Sequence, residues 1–594
     1  MQAARFEIPA CPDADVERLR RELGASGALA QVLVRRGLGD PAAARAFLLA
    51  NEEHPADAFE GIGEAVQMIM RHAQSGARIT VHGDYDVDGI CSTAVLLRAL
   101  RALGANADWY LPDRAGDGYG LNADTVRRLA VRGTRLLVTV DCAITAVAEV
   151  ALAQELGMEV VVTDHHAPRA DGALPQAPIV HPALCSYPCR ELCATAVAHK
   201  LAQALWQAAA ADCMTGGPAG EPLKERGRRM LAADLDLVAL ATIADVVLLR
   251  GENRALVRRG LRALAGTAKP GLRALMSVAG VDPARVNERS VAFALAPRLN
   301  AAGRLYRADA GLELLLTDDR MRAAQIAQEL DGANRERRQI EERIRWEAET
   351  QITALGSRPA YVLAGEGWHP GVIGIVASRL AERQCSPVVM IALDGETGRG
   401  SGRSIEAFDL LGGLDACGEY LLRYGGHRAA AGLEIEAARI EDFASAFCAH
   451  AERVLRPLDA VAIERVDAVV GGEELGMSLA EELQALAPFG RGNPTVSLLV
   501  ADATFADART MGEGRHVRFT VRSRGTRARA VAFGTGGRLP VRDGEPAEAT
   551  FTLEVNEWNG VSEPRLVLRR AQPLAAAPES SEAGSEELVL FAVP

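Results

Sequence analysis

His82, Asp84, Asp86 and Asp88 crowd into one stretch, VHGDYDVDG; Asp141 closes a second, LLVTVD, and Asp164, His165 and His166 close a third, VVVTDHH. A further carboxylate, Asp245, stands inside the apolar run TIADVVLL, where an unpaired charge is costly. Acids gathered in one place repel one another and resist ionisation unless a counter-charge is present. Divalent cations are the simplest counter-charge. Mixed imidazole and carboxylate donors suit Mn²⁺, with Mg²⁺ or Zn²⁺ possible, better than an all-oxygen Ca²⁺ cage. Two ions roughly 3.5–4 Å apart clamp an in-line phosphoryl displacement and activate water for attack. Taken singly, each Asp reads equally well as a helix cap or a loop carboxylate. Taken together, the set points to a metal centre for phosphoryl chemistry.

The elements around these stretches must bring them together. From about Arg78 to Leu249, the apolar runs RITVHG (78–83), ADWYLP (107–112), RLLVTVD (135–141) and MEVVVTD (158–164) alternate with helical patterns. The helices are expected over Cys91–Leu103, Asn122–Val131 and Thr145–Leu156. Strand and helix alternating at this length predict crossover units and a parallel sheet, an α/β fold. In an open parallel sheet the C-terminal strand ends border one crevice, so three strand ends deliver carboxylates and imidazoles to the same edge. Residues 208–228, with Gly-Gly-Pro and Gly-Glu-Pro, read as a surface insertion between helices.

Beyond this unit, the stretch from about Asp318 to Thr353 is strongly polar with sparse apolar positions, and predicts a long helix bridging domains. A second strand–helix unit follows (YVLAG, Gly371–Arg383, SPVVMIAL) and ends in two glycine-rich turns, GRGSGRS (398–404) and GGHRAAAG (425–432). From about Val461 to Gln572, alternating β-branched stretches predict a small all-β, OB-like barrel. The expected domains are an N-terminal segment (1–55), a catalytic α/β domain (56–275) and a connecting segment with the long helix (276–355). A second α/β domain (356–456), the barrel (457–572) and a disordered tail (573–594), a plain terminus rather than a docking peptide, complete the chain.

With 48% hydrophobic and 24% charged residues over 594 positions, this is ordinary soluble globular sequence, too long for one core. The N-terminus, MQAARFEIPA, lacks the features of a secretory signal, and no apolar run is long enough to span a bilayer, so no membrane is expected as a partner. Ten cysteines without a secretion signal read as reduced thiols and predict a cytoplasmic location. Cys185, Cys189 and Cys193 lack the paired spacing of zinc sites and read as incidental thiols. A net charge of −12 argues against general coating of DNA but leaves room for local basic tracts.

In this order, VHGDYDVDG, VTVDCAI, VTDHH and IADVV resemble the successive motifs of the DHH phosphoesterase superfamily, and the second unit resembles the DHH-associated domain. APRLNAAGR (296–304) and PFGRGNP (488–494) resemble segments specific to the RecJ family within it, and the likeness runs from about residue 55 to about 570. The resemblance implies a single-stranded-DNA-specific 5′→3′ exonuclease that releases 5′-mononucleotides in recombination and repair. It implies His82, Asp84, Asp86, Asp141, His165 and Asp245 as ligands to two divalent cations, Mn²⁺ favoured and Mg²⁺ possible, with Asp141 bridging them. It also implies that Asp164 orients the site and that His166 contacts the scissile phosphate, so that Asp141, Asp164, His165 and His166 form the catalytic group. The implied partners are single-stranded DNA and, by kinship alone, a single-stranded-DNA-binding protein and a helicase. Ala143, Ala194 and Ala196 stand where glycine is usual in the family. They put the local turn geometry in doubt but remove no ligand.

Away from the metals, Arg298, Asn300, Gly303 and Arg304 occupy a turn-like segment whose guanidinium forks suit bidentate phosphate contacts, the plainer reading being surface ion pairs. Ser378, Arg379, Arg403, Ser404, Gly425, Gly426 and His427 gather around the glycine-rich turns, where exposed N–H groups can cradle a phosphodiester. In the barrel, Arg518 and Arg522 are among six arginines between Gly514 and Ala530, with no acid to offset them. Phe519, Phe533 and Trp558 read either as stacking faces for bases or, more ordinarily, as barrel core. Two other functions compete: a DHH phosphodiesterase for short oligonucleotides or cyclic dinucleotides, and a non-catalytic binding protein with a degenerate site. The presence of all six ligands weighs against the second.

Overall fold

The computed structural model describes residues 4–113, 118, 120–211, 221–305, 309–456, 462–558 and 560–574. Contacts gather the chain into two units, one of residues 45–461 with 487–495, the other of 1–44, 462–486 and 496–594.

The larger unit is built on five parallel strands in the order β3-β2-β4-β5-β6. These are β2 (Ile79–His82), β3 (Ala107–Tyr110), β4 (Leu136–Thr139), β5 (Glu159–Thr163) and β6 (Ile179–Val180), numbered after β1 (Ala4–Glu7) of the other unit. Successive side chains point to opposite faces, and both faces are covered. Val81, Val138 and Val161 share a core with Ile90 and Leu97 of helix Val87–Ala102, Val197 of helix Ala194–Ala211 and Leu237 of helix Leu223–Ala244. Leu137, Val160 and Val162 pack in a second cluster with Val126 and Leu129 of helix Ala123–Val131 and Val150 of helix Val147–Glu155. The expected insertion at 208–228 is helical at both flanks, because one helix runs to Ala211 and the next starts at Leu223; residues 212–220 lie outside the described residues.

Helix Arg320–Leu355 has 36 residues, about 54 Å at ~1.5 Å per residue. Its buried side chains change company along its length. Ala323, Ile326 and Leu330 belong to the first core, whereas Ile344, Ala348 and Ile352 lie under a second sheet. That sheet has the order β10-β11-β9-β8-β7, with β7 (Tyr361–Glu366) and β8 (Val388–Asp394) parallel. The rest, β9 (Thr397–Arg403), β10 (Arg423–Gly426) and β11 (Ala430–Glu436), pair antiparallel.

The two stretches expected as glycine-rich turns are therefore mostly strand. The glycines serve close packing of the sheet face: a Cβ on Gly398, Gly400 or Gly402 would stand 2.5, 2.6 or 2.9 Å from Ile391, Leu433 or Leu410. Arg399, Ser401 and Arg403 alternate with them. Likewise, APRLNAAGR is not turn-like but lies in helix Ala296–Leu305.

In the smaller unit, β14 (Leu498–Met511), β15 (His516–Ser523), β16 (Thr526–Ala532), β18 (Val561–Pro573) and β17 (Pro546–Trp558) pair in that order, and a β14–β17 pairing closes the ring. Closure removes free sheet edges and makes the five-stranded barrel. A short strand, β13 (Ala468–Val469), adds to β14, and β12 (Ala462–Arg465) pairs in parallel with β1. Residues 4–44 thus pack with the barrel: Ser26 N donates to Glu482 at 2.8 Å, and Arg36 pairs with Asp467 at 2.9 Å. Of the expected tail, all beyond Leu574 lies outside the described residues. No helix among the described residues is long and apolar enough to cross a membrane.

Candidate metal centre

The C-terminal ends of β2, β4 and β5 deliver the acidic and imidazole side chains, as the α/β reading requires. After β2 the chain turns tightly: a Cβ on Gly89 would lie 2.4–2.6 Å from the Asp84 backbone. Asp86 is the N-cap of helix Val87–Ala102, its Oδ1 accepting from Asp88 N at 2.9 Å and Gly89 N at 3.1 Å. The cap and the candidate ligand are thus one residue, with one oxygen committed to the helix. Asp88 is spent differently. Its carboxylate accepts from Ala194 N and Thr195 N, each at 2.8 Å, and from Thr195 Oγ1 at 2.6 Å. It caps helix Ala194–Ala211, where the backbone N–H groups and the helix dipole favour an anion. No local signal in the sequence announces this pairing, because 106 positions separate the partners.

Asp141 and Ala143 both adopt left-handed backbone, with φ 64° and 82°. The doubt raised by Ala143 is well placed: this turn demands the conformation that glycine takes freely, and alanine takes it at a cost. Ala194 and Ala196 instead sit in the first turn of a regular helix. The turn is tied down by Ile144 N, which donates to Asp164 Oδ2 at 2.9 Å. The other Asp164 oxygen accepts from His165 N and His166 N and stands 2.8 Å from His166 Nδ1. Asp164 therefore orients the imidazole of His166 rather than that of His165.

Three sets of ligand atoms result, each within 4.8 Å of one another: Asp84–Asp86–Asp141, Asp141–His165–His166 and Asp88–His165–Asp245. Asp141 and His165 each belong to two of them. His165 Nε2 is buried without a hydrogen-bond partner and lies 3.2 Å from Asp141 Oδ1, 3.8 Å from Asp88 and 3.9 Å from Asp245. His82, fully buried at the end of β2, falls outside the three sets; its Nδ1 is 3.5 Å from Cys142 Sγ and its ring stacks on Tyr110.

The electrostatics fit a cation. Burial, then the charges of Asp88, Asp86 and Asp84, pushes the Asp141 carboxyl well above the usual carboxylate range. Asp86 is raised by burial and Asp88, and Asp245 is pushed up to about 8 by burial, Asp88 and Asp86. Burial holds His165 low, which favours the neutral imidazole that ligates metals. His166 is the opposite case: burial lowers it, but the Asp164 hydrogen bond and charge outweigh burial and raise it. Burial also works against Asp164, which His166 and the backbone N–H of Ile144 nevertheless hold low.

Family models match in the same order as the motifs. The DHH family N-terminal domain covers residues 78–241, the DHHA1 domain 357–453 and the RecJ OB domain 466–570. A single-stranded-DNA-specific exonuclease RecJ of Bacillus subtilis is 37% identical over 96% of this chain and 70% of its own length. The corresponding protein of Dickeya dadantii is 38% identical over 86% of this chain and 91% of its own. The chain belongs to the RecJ family. A crystal structure of Thermus thermophilus RecJ in complex with Mn²⁺ superposes with a TM-score of 0.81 at 32% identity, covering 96% of this chain and 80% of that one. Its Mg²⁺ complex superposes at 0.76.

The basic residues expected to hold substrate are divided in this RecJ-family chain. Arg298 is buried, paired with Asp331 at 2.9 Å and donating to Ala294 O, so its charge is met internally. Asn300 accepts from Val87 N at 3.1 Å, and with Arg304, Gly303, Tyr85, Asp84 and Asp86 it lines a crevice of about 300 Å³. Arg304 donates to Gly371 O at 2.9 Å, which ties this wall to helix Pro370–Gln384. On that helix Ser378 bonds to Gly374 O, and Arg379 pairs with Glu341. Arg403 donates to Gly402 O and Ser401 Oγ, and Ser404 to Phe408 O. Gly425, Gly426 and His427 are exposed at the β10–β11 hairpin.

In the barrel, Arg518 and Arg522 face outward on β15, beside Arg527 and Arg529 on β16. Phe519 is buried against Phe505 and belongs to the core, Phe533 is exposed, and the Trp558 side chain lies outside the described residues. No cysteine joins a metal-binding set among the described residues.

Proposed function

We propose that this RecJ-family chain digests single-stranded DNA from the 5′ end by two-metal hydrolysis, releasing 5′-mononucleotides. One observation carries the reading: two residues, Asp141 and His165, are each shared between adjacent sets of candidate ligand atoms, the arrangement that adjacent cations require. In the proposal His82, Asp84, Asp86, Asp141, His165 and Asp245 would hold the two cations, Mn²⁺ or Mg²⁺, Asp141 being a member of two of the candidate sets. When bound, the cations neutralise the buried carboxylates, polarise the phosphodiester and activate water. The chain's own residues do the rest. Asp164 fixes the ring of His166 and raises its pKa, and His166 hydrogen-bonds a non-bridging oxygen of the scissile phosphate. Water adds to phosphorus, the bond from phosphorus to the 3′-oxygen of the terminal nucleotide breaks, and that nucleotide leaves with the proton, the phosphate staying on the new 5′ end of the strand.

The outward arginines Arg518 and Arg522 contact the sugar–phosphate backbone of a long strand. A single-stranded-DNA-binding protein and a helicase are the protein partners that membership of the family suggests. The cysteines among the described residues are free thiols, which supports a reducing, cytoplasmic setting.

End-labelled single-stranded DNA with Mn²⁺, digested by wild type and by Asp141→Ala, tests the proposal. Stepwise loss from the 5′ end by the wild type alone is expected. Loss from the 3′ end would overturn the polarity, and equal digestion by both proteins would overturn the metal site.

A further inference from the structure

Phe293 is 72% exposed, the most exposed phenylalanine among the described residues. Its backbone is a π-helical turn, Val291–Leu295, entering helix Ala296–Leu305. Such turns are uncommon and gather at functional sites. The turn sends Val291 and Leu295 into the core and leaves the phenyl ring in solvent, which forgoes the burial a ring of this size normally gains. Across from it stands Val246, 57% exposed and left-handed at φ 56°, a strained conformation for a β-branched residue. Val246 directly follows Asp245.

Phe293, Val246, Ala292 and Pro297 wall a cleft of about 290 Å³. The charge of Arg337 at its side is met by Glu341 at 2.7 Å, so the cleft is apolar where the ring lies. Ala244, Asn300 and Arg304 line this cleft and also the crevice that holds Asp84 and Asp86. The crevice and the cleft therefore adjoin, with these three residues as their common wall. A flat aromatic group attached to a phosphate chain is what such a paired site recognises: an apolar face beside a charged groove.

We propose that Phe293 is a stacking platform for one nucleobase of the strand whose phosphate lies at the metal centre, with Asn300 and Arg304 guiding the backbone between the two. This rests on the exonuclease reading above and adds a determinant of substrate class, because it requires a base at one fixed position. A sugar–phosphate chain without that base loses the contact.

The test is binding of oligonucleotides carrying one abasic residue at each of the first three positions from either end. Ca²⁺ stands in for the catalytic cation, so that the centre is filled while the strand is not cut. Wild type loses on the order of tenfold affinity at one position, in the range of base–aromatic stacking. Phe293→Ala loses a similar factor on the intact strand and no longer discriminates that abasic strand, whereas Phe293→Trp keeps the discrimination. The ring is exposed, so the thermal melt of Phe293→Ala should match wild type. If Phe293→Ala still discriminates, or binds the intact strand as wild type does, the platform is wrong and the exonuclease reading stands. If wild type sediments as a dimer that Phe293→Ala breaks, a second copy covers this face and the platform is wrong. If wild type binds no single strand at all, the exonuclease reading falls and takes the platform with it.

Discussion

Asp164 Oδ1 stands 2.8 Å from His166 Nδ1 while Asp164 Oδ2 accepts from Ile144 N, so one buried carboxylate fixes both an imidazole and the turn that carries Asp141. Asp164→Asn removes the charge that holds His166 up. The His166 pKa should fall, and the alkaline limb of the kcat–pH profile should move to lower pH. Activity should drop about 10–100-fold, as for other residues that orient a metal site. An unmoved limb would show that His166 does not titrate in turnover.

Ala143 and Ala196 make a matched pair. Ala143 has φ 82°, whereas Ala196 is helical. Ala143→Gly should stabilise the protein by about 0.5–1 kcal/mol through relief of left-handed strain, net of added chain entropy. Ala196→Gly should cost a similar amount. Denaturant melts of the two variants check this, and shifts of the same sign would refute the conformational account.

The raised carboxyls set a pH dependence. Asp245 is pushed up to about 8, with Asp141 and Asp86 also raised. A carboxyl with a higher pKa folded than unfolded keeps its proton longer in the native state, so metal-free stability falls as pH rises from the carboxylate range toward 8. A divalent cation displaces those protons. The increase in Tm on adding Mn²⁺ should therefore be larger near pH 8 than near pH 6. Equal increases would contradict it.

Arg518 and Arg522 separate a long-strand nuclease from a hydrolase of short oligonucleotides. Arg518→Glu with Arg522→Glu should weaken binding of long single strands and flatten its salt dependence by roughly 0.7 per lost phosphate contact. Fluorescence titration at several salt concentrations reads the slope. An unchanged slope on long strands would favour the short-substrate enzyme.

Removal of residues 461–594 takes away hydrogen bonds of the larger unit as well as the barrel. Within the larger unit, Arg254 donates to Ala487 O at 2.9 Å and to Pro488 O at 3.3 Å, and Leu249 N donates to Arg491 O at 2.8 Å. The truncation leaves a buried guanidinium short of two acceptors, at about 1.5–3 kcal/mol for hydrogen bonds to a charged group. The truncated protein should melt below the full chain in the metal-free state. An equal melt would mean that 487–495 carries no stability.

The sequence by itself determined the chemistry and the frame. Apolar runs alternating with helical periods specify a parallel sheet, and acids at the strand ends must then meet at one edge, because parallel strands put all their C-terminal ends on the same side. The barrel was legible for the same reason, through the period-two alternation of HVRFTVRS. What the tertiary structure decided was how each polar group is spent. Asp88 caps a helix that starts at Ala194, Arg298 neutralises Asp331, and Asp164 holds His166. The glycines of GRGSGRS pack beneath side chains from neighbouring strands instead of forming a turn. Phe293, inside the apolar run VAFALA, stands in solvent in the fold. The partners of Asp88 and Arg298 lie 106 and 33 positions away, and which face of an element meets which neighbour is settled only when the elements pack, so no local pattern of residues encodes these outcomes.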